Sequence, residues 1–206
     1  MNIESKKILD EKMSFKPGTM VYPVPAVMVT CGKTEEEHNI ITIAWTGIVN
    51  SEPPMTYISV RKERHSHSII EKNGEFVINL ATEELAFATD YCGVKSGAKL
   101  NKFKEMNLTK IPATKLDTVM IAQSPVNVEC RVVNKIELPS HDMFIAEIIA
   151  VNVNKDLLNL KGKLELEKAN LLAYSHGDYY KIGKPLGRFG FSVMKTKTKK
   201  RLQNKK

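Results

Sequence analysis

Asn39-Ile40-Ile41-Thr42-Ile43-Ala44-Trp45-Thr46-Gly47-Ile48-Val49 is the stretch on which the reading of the fold turns. Its run Ile40–Val49 is rich in β-branched residues and predicts a buried strand. Strand side chains alternate, so Thr42, Ala44 and Thr46 share one face, and all three are small. A flat ligand can lie close to such a backbone and have its edge read by N–H and C=O groups. Threonine is also common in sheets for packing alone.

Upstream, Lys16-Pro17-Gly18 marks a turn, and Met20–Thr30 reads as extended chain. Pro23 and Pro25 remove ladder donors, which predicts an edge or bulged strand. The polar stretch Cys31–Asn39 reads as a hairpin loop. Downstream, Asn50–Pro54 reads as a turn and Thr56–Arg61 as a strand. Ser66–Lys72 predicts a helix ended by Asn73-Gly74, and Phe76–Leu80 another strand. A helical pattern opens near Thr82 and runs to about Tyr91. Cys92–Gly97 breaks it, and Ala98–Met106 predicts a second short helix. In Pro125–Leu138, Val126, Val128, Cys130 and Val132 alternate with Asn127, Glu129 and Arg131. With Phe144–Val153 this predicts an antiparallel hairpin turned at Pro139–Asp142. Strands and helices do not alternate as in a βαβ chain. The pattern fits a mainly β, antiparallel barrel with short helical insertions.

The chain has 206 residues and a formal net charge of +8, from 31 basic and 23 acidic residues. Seven of the basic residues lie in Lys195–Lys206, which has no acid. Without them 24 basic residues face 23 acidic ones, so the body is near neutral and the basicity is a tail. A neutral body argues against a domain built to cover nucleic-acid phosphates. The tail reads as a solvated terminus able to touch an acidic partner. Three cysteines, Cys31, Cys92 and Cys130, form no CxxC and read as reduced thiols of a cytoplasmic protein. Met1–Lys12 has no apolar run and does not read as a secretory signal, and nothing reads as a membrane span. The expected organisation is an N-terminal extension (1–18), one domain (19–194) and the basic tail (195–206).

No GxGxxG follows a strand and no GxxxxGK[ST] occurs, so a bound nucleotide would need another cradle. His65-Ser66-His67 is an HxH without a carboxylate or cysteine at ligand spacing, and it reads as solvated basic residues rather than a metal site. His176 reads as a loop histidine or as a group bordering an active-site mouth. Ser59, Arg61, Arg64 and Ser66 are more telling. Two guanidiniums and hydroxyls just before a helix N-terminus are the chemistry that holds a phosphate. The same residues also suit a charged loop with Ser66 as helix cap.

Their order in the chain resembles the flavin reductase-like family, and within it the flavoredoxin group. The resemblance runs through Pro25–Thr30, Asn39-x-x-Thr42-x-Ala44-Trp45-Thr46-Gly47, Pro53-Pro54, Ile58–Arg61, Arg64-x-Ser66 and Gly74–Leu80. It continues through Asp90-Tyr91-Cys92-Gly93, Ser96-Gly97, Lys102-Phe103 and Tyr179-Tyr180-x-x-Gly183, covering roughly residues 20–190. It implies an FMN-binding split β-barrel, antiparallel and Greek-key-like, working as a homodimer. Asn39, Thr42, Ala44, Trp45 and Thr46 would line the isoalloxazine and ribityl chain. Ser59, Arg61, Arg64 and Ser66 would hold the ribityl and phosphate end. Lys102 is a further candidate, although Asn101 stands where many relatives carry an aspartate. The implied chemistry is borne by the flavin, with NADH or NADPH as electron donor, no catalytic side chain and no metal. An alternative is a flavoredoxin-type electron carrier that docks to an acidic redox protein.

Overall fold

The computed structural model describes residues 12–195. Its main sheet has seven strands, all paired antiparallel: β2 (Val27–Cys31), β3 (Asn39–Ile43), β4 (Thr46–Ser51), β5 (Pro54–Arg61), β6 (Glu75–Leu80), β9 (Val126–Glu137) and β10 (His141–Val153). Their spatial order is β3-β2-β6-β9-β10-β5-β4. β3 and β4 follow one another in the chain yet stand at opposite ends of that order. The sheet is therefore curled, and the segment Ala44–Trp45 joins its two edges. The fold is a split barrel.

This corrects the reading of Ile40–Val49 as one strand. One straight strand cannot serve two edges. The chain bends at Ala44–Trp45, where Thr46 N–H donates to Ala44 O at 3.1 Å and Ser59 N–H donates to Trp45 O at 2.9 Å. The second bond turns the corner onto β5. Past it, β4 becomes solvent-facing, with Ile48 and Val49 exposed.

β2 shows why the barrel has two apolar layers. All five of its residues are buried. Val27, Val29 and Cys31 face the interior with Ile58, Phe76 and Phe144. Met28 faces outward, under Leu85, Phe103 and Ile121. Burying such a side chain contributes on the order of 1.5–3 kcal/mol. β2 is thus an inner strand. Pro23 and Pro25 lie before it, and Pro25 closes the two-residue strand β1 (Val24–Pro25) of a separate sheet. That sheet also holds β11 (Leu172–Ser175) and β12 (Asp178–Lys181).

Helix α1 (His65–Asn73) plugs the barrel with Ile69 and Ile70. It ends at Gly74, whose φ of 66° is the left-handed C-cap that glycine adopts freely. The outer layer is an excursion of α2 (Ala86–Val94), α3 (Lys102–Glu105) and a hairpin of β7 (Lys110–Pro112) and β8 (Val119–Ile121). Two boundaries within it depart from expectation. α2 continues through Cys92 and Gly93 to Val94. Gly93 is a close-approach residue there, since a Cβ on it would meet Thr42 Cβ at 3.2 Å. The helix expected over Ala98–Met106 shrinks to the four residues of α3, capped by Asn101 accepting from Lys104 N–H.

The excursion is pinned by buried polar groups. Asn79 Nδ2 donates to Met28 O at 2.9 Å, while its Oδ1 accepts from Ile121 N–H at 3.0 Å and Asn127 Nδ2 at 2.8 Å. Glu129 is fully buried. It accepts from the backbone N–H groups of Thr114, Lys115 and Leu116, from Thr114 Oγ1 and from Asn152 Nδ2. The alternation expected in β9 is present, but two of its polar residues, Asn127 and Glu129, are inside because the excursion covers them, while Arg131 beyond them is exposed. No helix among the described residues is long and apolar enough to cross a membrane.

Candidate functional site

Three segments converge at the barrel corner. The bend supplies Ala44 and Trp45. The end of β5 supplies Ser59 and Arg61. The turn Arg61–Arg64, closed by Arg64 N–H donating to Arg61 O at 3.0 Å, delivers Arg64 to the N-cap of α1. Antiparallel pairing sets His141 opposite Arg61. Together with Thr42, Gly93, Tyr174 and Tyr179 they wall a cavity of about 390 Å³. A smaller hollow of about 240 Å³ shares Ile41 and Arg64 with it, and is lined also by Asn39, Ser66, Lys95 and Lys102.

The small hollow has the chemistry of an anion site. α1 has no acid in its first turn, and Arg64 makes no side-chain cap bond. Arg64, His65 and Ser66, at the start of that turn, line the hollow, where the positive end of a helix favours an anion. Lys102 is buried, and its Nζ donates to Ile40 O and Cys92 O, both at 2.7 Å. Burial pushes its amine down to about 8, and the nearby Arg64 adds to that push. Neither Arg64 nor Lys102 has a carboxylate within 4.0 Å among the described residues, although Glu63 also lines the hollow and feels the Arg64 charge. A buried cation without a counter-ion is costly, and a bound anion would relieve that cost.

The floor of this hollow is tightly built. Asn39 Nδ2 donates to Ser66 Oγ at 2.8 Å. Gly97 lies against the same amide, where a Cβ would sit 1.9 Å from Asn39 Oδ1. Gly97→Ala is therefore expected to displace Asn39 and cost about 1–3 kcal/mol of stability. Gly183→Ala is the control, since nothing lies within 4 Å of its Cβ position. Its melt is expected to match wild type within about 0.5 kcal/mol. Equal melting of both variants would show that the Asn39–Gly97 contact is soft.

The larger cavity is aromatic on one side. Tyr22 packs on Trp45, Tyr174 and His176 with ring centroids 6.1–6.2 Å apart. Tyr179 Oη donates to Asp90 Oδ1 at 3.3 Å, and burial, then the Asp90 charge, pushes its phenol up to about 12. Burial, then Arg61, lowers the pKa of His141, whose Nδ1 is 2.8 Å from Ser140 Oγ.

The expected residues divide among these hollows. Thr42, Ala44, Trp45, Ser59, Arg61 and Arg64 line the large cavity; Asn39, Arg64, Ser66 and Lys102 line the small one. Thr46 lies elsewhere. Past the bend it faces an apolar hollow of about 400 Å³ beside Val24, Tyr57, Leu138 and Met143, with its Oγ1 donating to Tyr57 O at 2.6 Å. Thr42, Ala44 and Thr46 therefore do not share a face. His176 is exposed in the β11–β12 turn, and its ring packs on Tyr22. His65 is exposed, but His67 is buried, which corrects its reading as solvated. Sequence reasoning missed Tyr22, Asp90, Lys95, His141, Tyr174 and Tyr179 as wall residues. Asp90 and Tyr179 fell within stretches that carried the family resemblance, and the others gave no local signal.

Residues 19–183 match the sequence pattern of the family described as Flavin reductase like domain. A protein of Archaeoglobus fulgidus is 30% identical over 165 residues, which is 80% of this chain and 79% of that protein. Among solved structures, the flavoredoxin of Desulfovibrio vulgaris (Miyazaki F) superposes with a TM-score of 0.82 at 28% identity, covering 89% of this chain and all of the other. A flavoredoxin from Methanosarcina acetivorans gives 0.80 at 29% identity, again over 89% of this chain and all of the other.

Proposed function

This chain belongs to the flavin reductase-like family, and on that premise we propose that it binds FMN and works as an NAD(P)H-dependent flavin oxidoreductase. The observation that carries the reading is the pair of joined hollows. The larger has room and aromatic walls for a flat ring system. The smaller offers Arg64, Ser66, Lys102 and a helix N-terminus to a phosphate. A dianionic phosphomonoester suits a hollow lined by three cations, Arg64, Lys95 and Lys102, against one carboxylate, Glu63. When bound, the flavin supplies the redox chemistry, accepting a hydride and passing electrons on. The protein's share is placement and electrostatics. The Ala44–Trp45 backbone and Ser59 set the ring edge, Arg61 favours negative charge nearby, and the tyrosine wall limits water.

Homodimerisation is part of this reading. Val94 lines the large cavity yet is 67% exposed, and Ile48 on β4 is 72% exposed. A second subunit would cover such apolar surface and supply the missing wall. The domain is placed at 19–194, with the tail from Lys195 dispensable for flavin binding; residues 196–206 lie outside the described residues. Free, buried Cys31, Cys92 and Cys130 support a reducing, cytoplasmic setting.

A second reading, an electron carrier docking to an acidic partner, is favoured by the likeness to two structures named flavoredoxin. One anaerobic experiment separates the two. The purified protein is expected to show the visible band of oxidised flavin, to hold one FMN per subunit, and to bleach on adding NADH or NADPH. Bleaching by dithionite alone would leave the carrier reading. Absence of any flavin binding in titration would remove both.

A further inference from the structure

A cluster of charges outside the cavities ties two segments that line the small hollow, the Arg61–Arg64 turn and α1, to β10. Asp142 is 2% exposed. Its Oδ2 lies 2.8 Å from His67 Nε2 and 3.8 Å from Lys135 Nζ. Its Oδ1 has Lys62 Nζ at 3.3 Å but no aligned hydrogen bond. His67 is buried as well, with Nδ1 3.9 Å from Glu71 and its ring edge-on to Phe144 at 5.3 Å. Lys135 continues to Glu71 at 2.6 Å and Glu137 at 3.0 Å.

The members of this cluster are chain neighbours of the cavity residues. His141 lines the large cavity, and Asp142 follows it on β10. Successive strand residues point to opposite faces, so one wall carries the cavity and the other the carboxylate. Arg61 lines the cavity, and Lys62 follows it. Ser66 lines the small hollow, and His67 follows it on α1. Each bond of the cluster thus ties a separate segment from behind: Asp142 to His67 fixes α1 on β10, and Asp142 to Lys62 fixes the Arg61–Arg64 turn on β10.

We infer that Asp142 and His67 are positioning residues for an anion in the small hollow, a phosphate monoester, which they never touch. They hold the N-terminus of α1, and with it Arg64 and Ser66, in register with Asn39 and Lys102. The inference rests on the flavin reading, in which that monoester is the FMN phosphate. Without the clamp, α1 keeps its core contacts through Ile69 and Ile70, but its first turn is left with the Asn39–Ser66 bond as its one named tie. Small displacements of a preorganised group cost large factors in the interactions it makes.

The sign of the effect makes the inference testable. Asp142→Asn removes a negative charge near the phosphate end. By charge alone, FMN would bind more tightly. The clamp requires the reverse. FMN affinity of Asp142→Asn is expected to fall about tenfold, while riboflavin, which has no phosphate, stays within about twofold. His67→Leu, which has no donor or acceptor, removes the other partner and is expected to shift the same ratio in the same direction, so it decides the matter if Asp142→Asn does not fold. Both are measured by fluorescence titration of protein whose circular dichroism matches wild type. FMN binding that is unchanged or tighter, or an equal loss for both flavins, would overturn the clamp. Wild type that binds neither flavin, or binds both equally, would instead bring down the flavin or phosphate reading itself, and that shows before any variant is made.

Discussion

Glu129→Gln is expected to destabilise the protein by about 3 kcal/mol, although it changes no atom near the cavities. The side chain is fully buried and accepts five hydrogen bonds, three of them from consecutive backbone N–H groups, Thr114 to Leu116. Glutamine keeps the shape but turns an NH₂ donor toward those donors. Burial alone would raise the Glu129 carboxyl, yet the bonds from Thr114, Asn152 and Lys115 outweigh it and hold the group below the ordinary carboxylate range. The sign for pH follows. A carboxyl lowered in the folded state contributes stability that is fully present above its unfolded pKa. That contribution is lost as pH falls through the folded value. The variant should therefore melt lower than wild type by roughly 6–12 °C near neutral pH, with the gap closing in acid. A difference under about 2 °C at neutral pH would mean that water replaces the carboxylate in holding the 114–116 turn.

Arg64→Ala is expected to weaken FMN about tenfold to a hundredfold while leaving riboflavin nearly unchanged, because a charge-assisted bond contributes roughly 1.5–3 kcal/mol. Arg64 is the charged side chain common to both hollows, with no carboxylate within 4.0 Å among the described residues. It is exposed at the N-cap of α1 with no side-chain cap bond, so its loss should leave the helix and the melting temperature close to wild type. The readout is the ratio of the two flavin affinities by titration. An equal loss for FMN and riboflavin would place Arg64 against the ring system rather than the phosphate.

Sequence alone was enough wherever the physics is local. The hairpin of β9 and β10 follows from one alternating run, one long apolar run and a short turn between them. The end of α1 follows from Asn73-Gly74, since glycine adopts the left-handed cap. That Arg61, Arg64 and Ser66 gather at one corner of the barrel was legible because strand end, turn and helix start are contiguous in the chain. Tertiary structure decided the rest. Ile40–Val49 has uniform strand propensity, and only closure of the barrel breaks it at Ala44–Trp45 and turns Thr46 away from Thr42. Asn127 and Glu129 are polar residues on an alternating strand, which by pattern belong outside. They are inside because the excursion of α2, α3, β7 and β8 folds over that face. His67 reads as a solvated neighbour of His65 until β10 brings Asp142 to it, 75 residues along the chain. Tyr22, Asp90, Tyr174 and Tyr179 come from three distant segments and carry no shared local pattern. Propensity and alternation act over a few residues. Which face is covered, and which charges meet, depends on contacts between segments that only the closed barrel brings together.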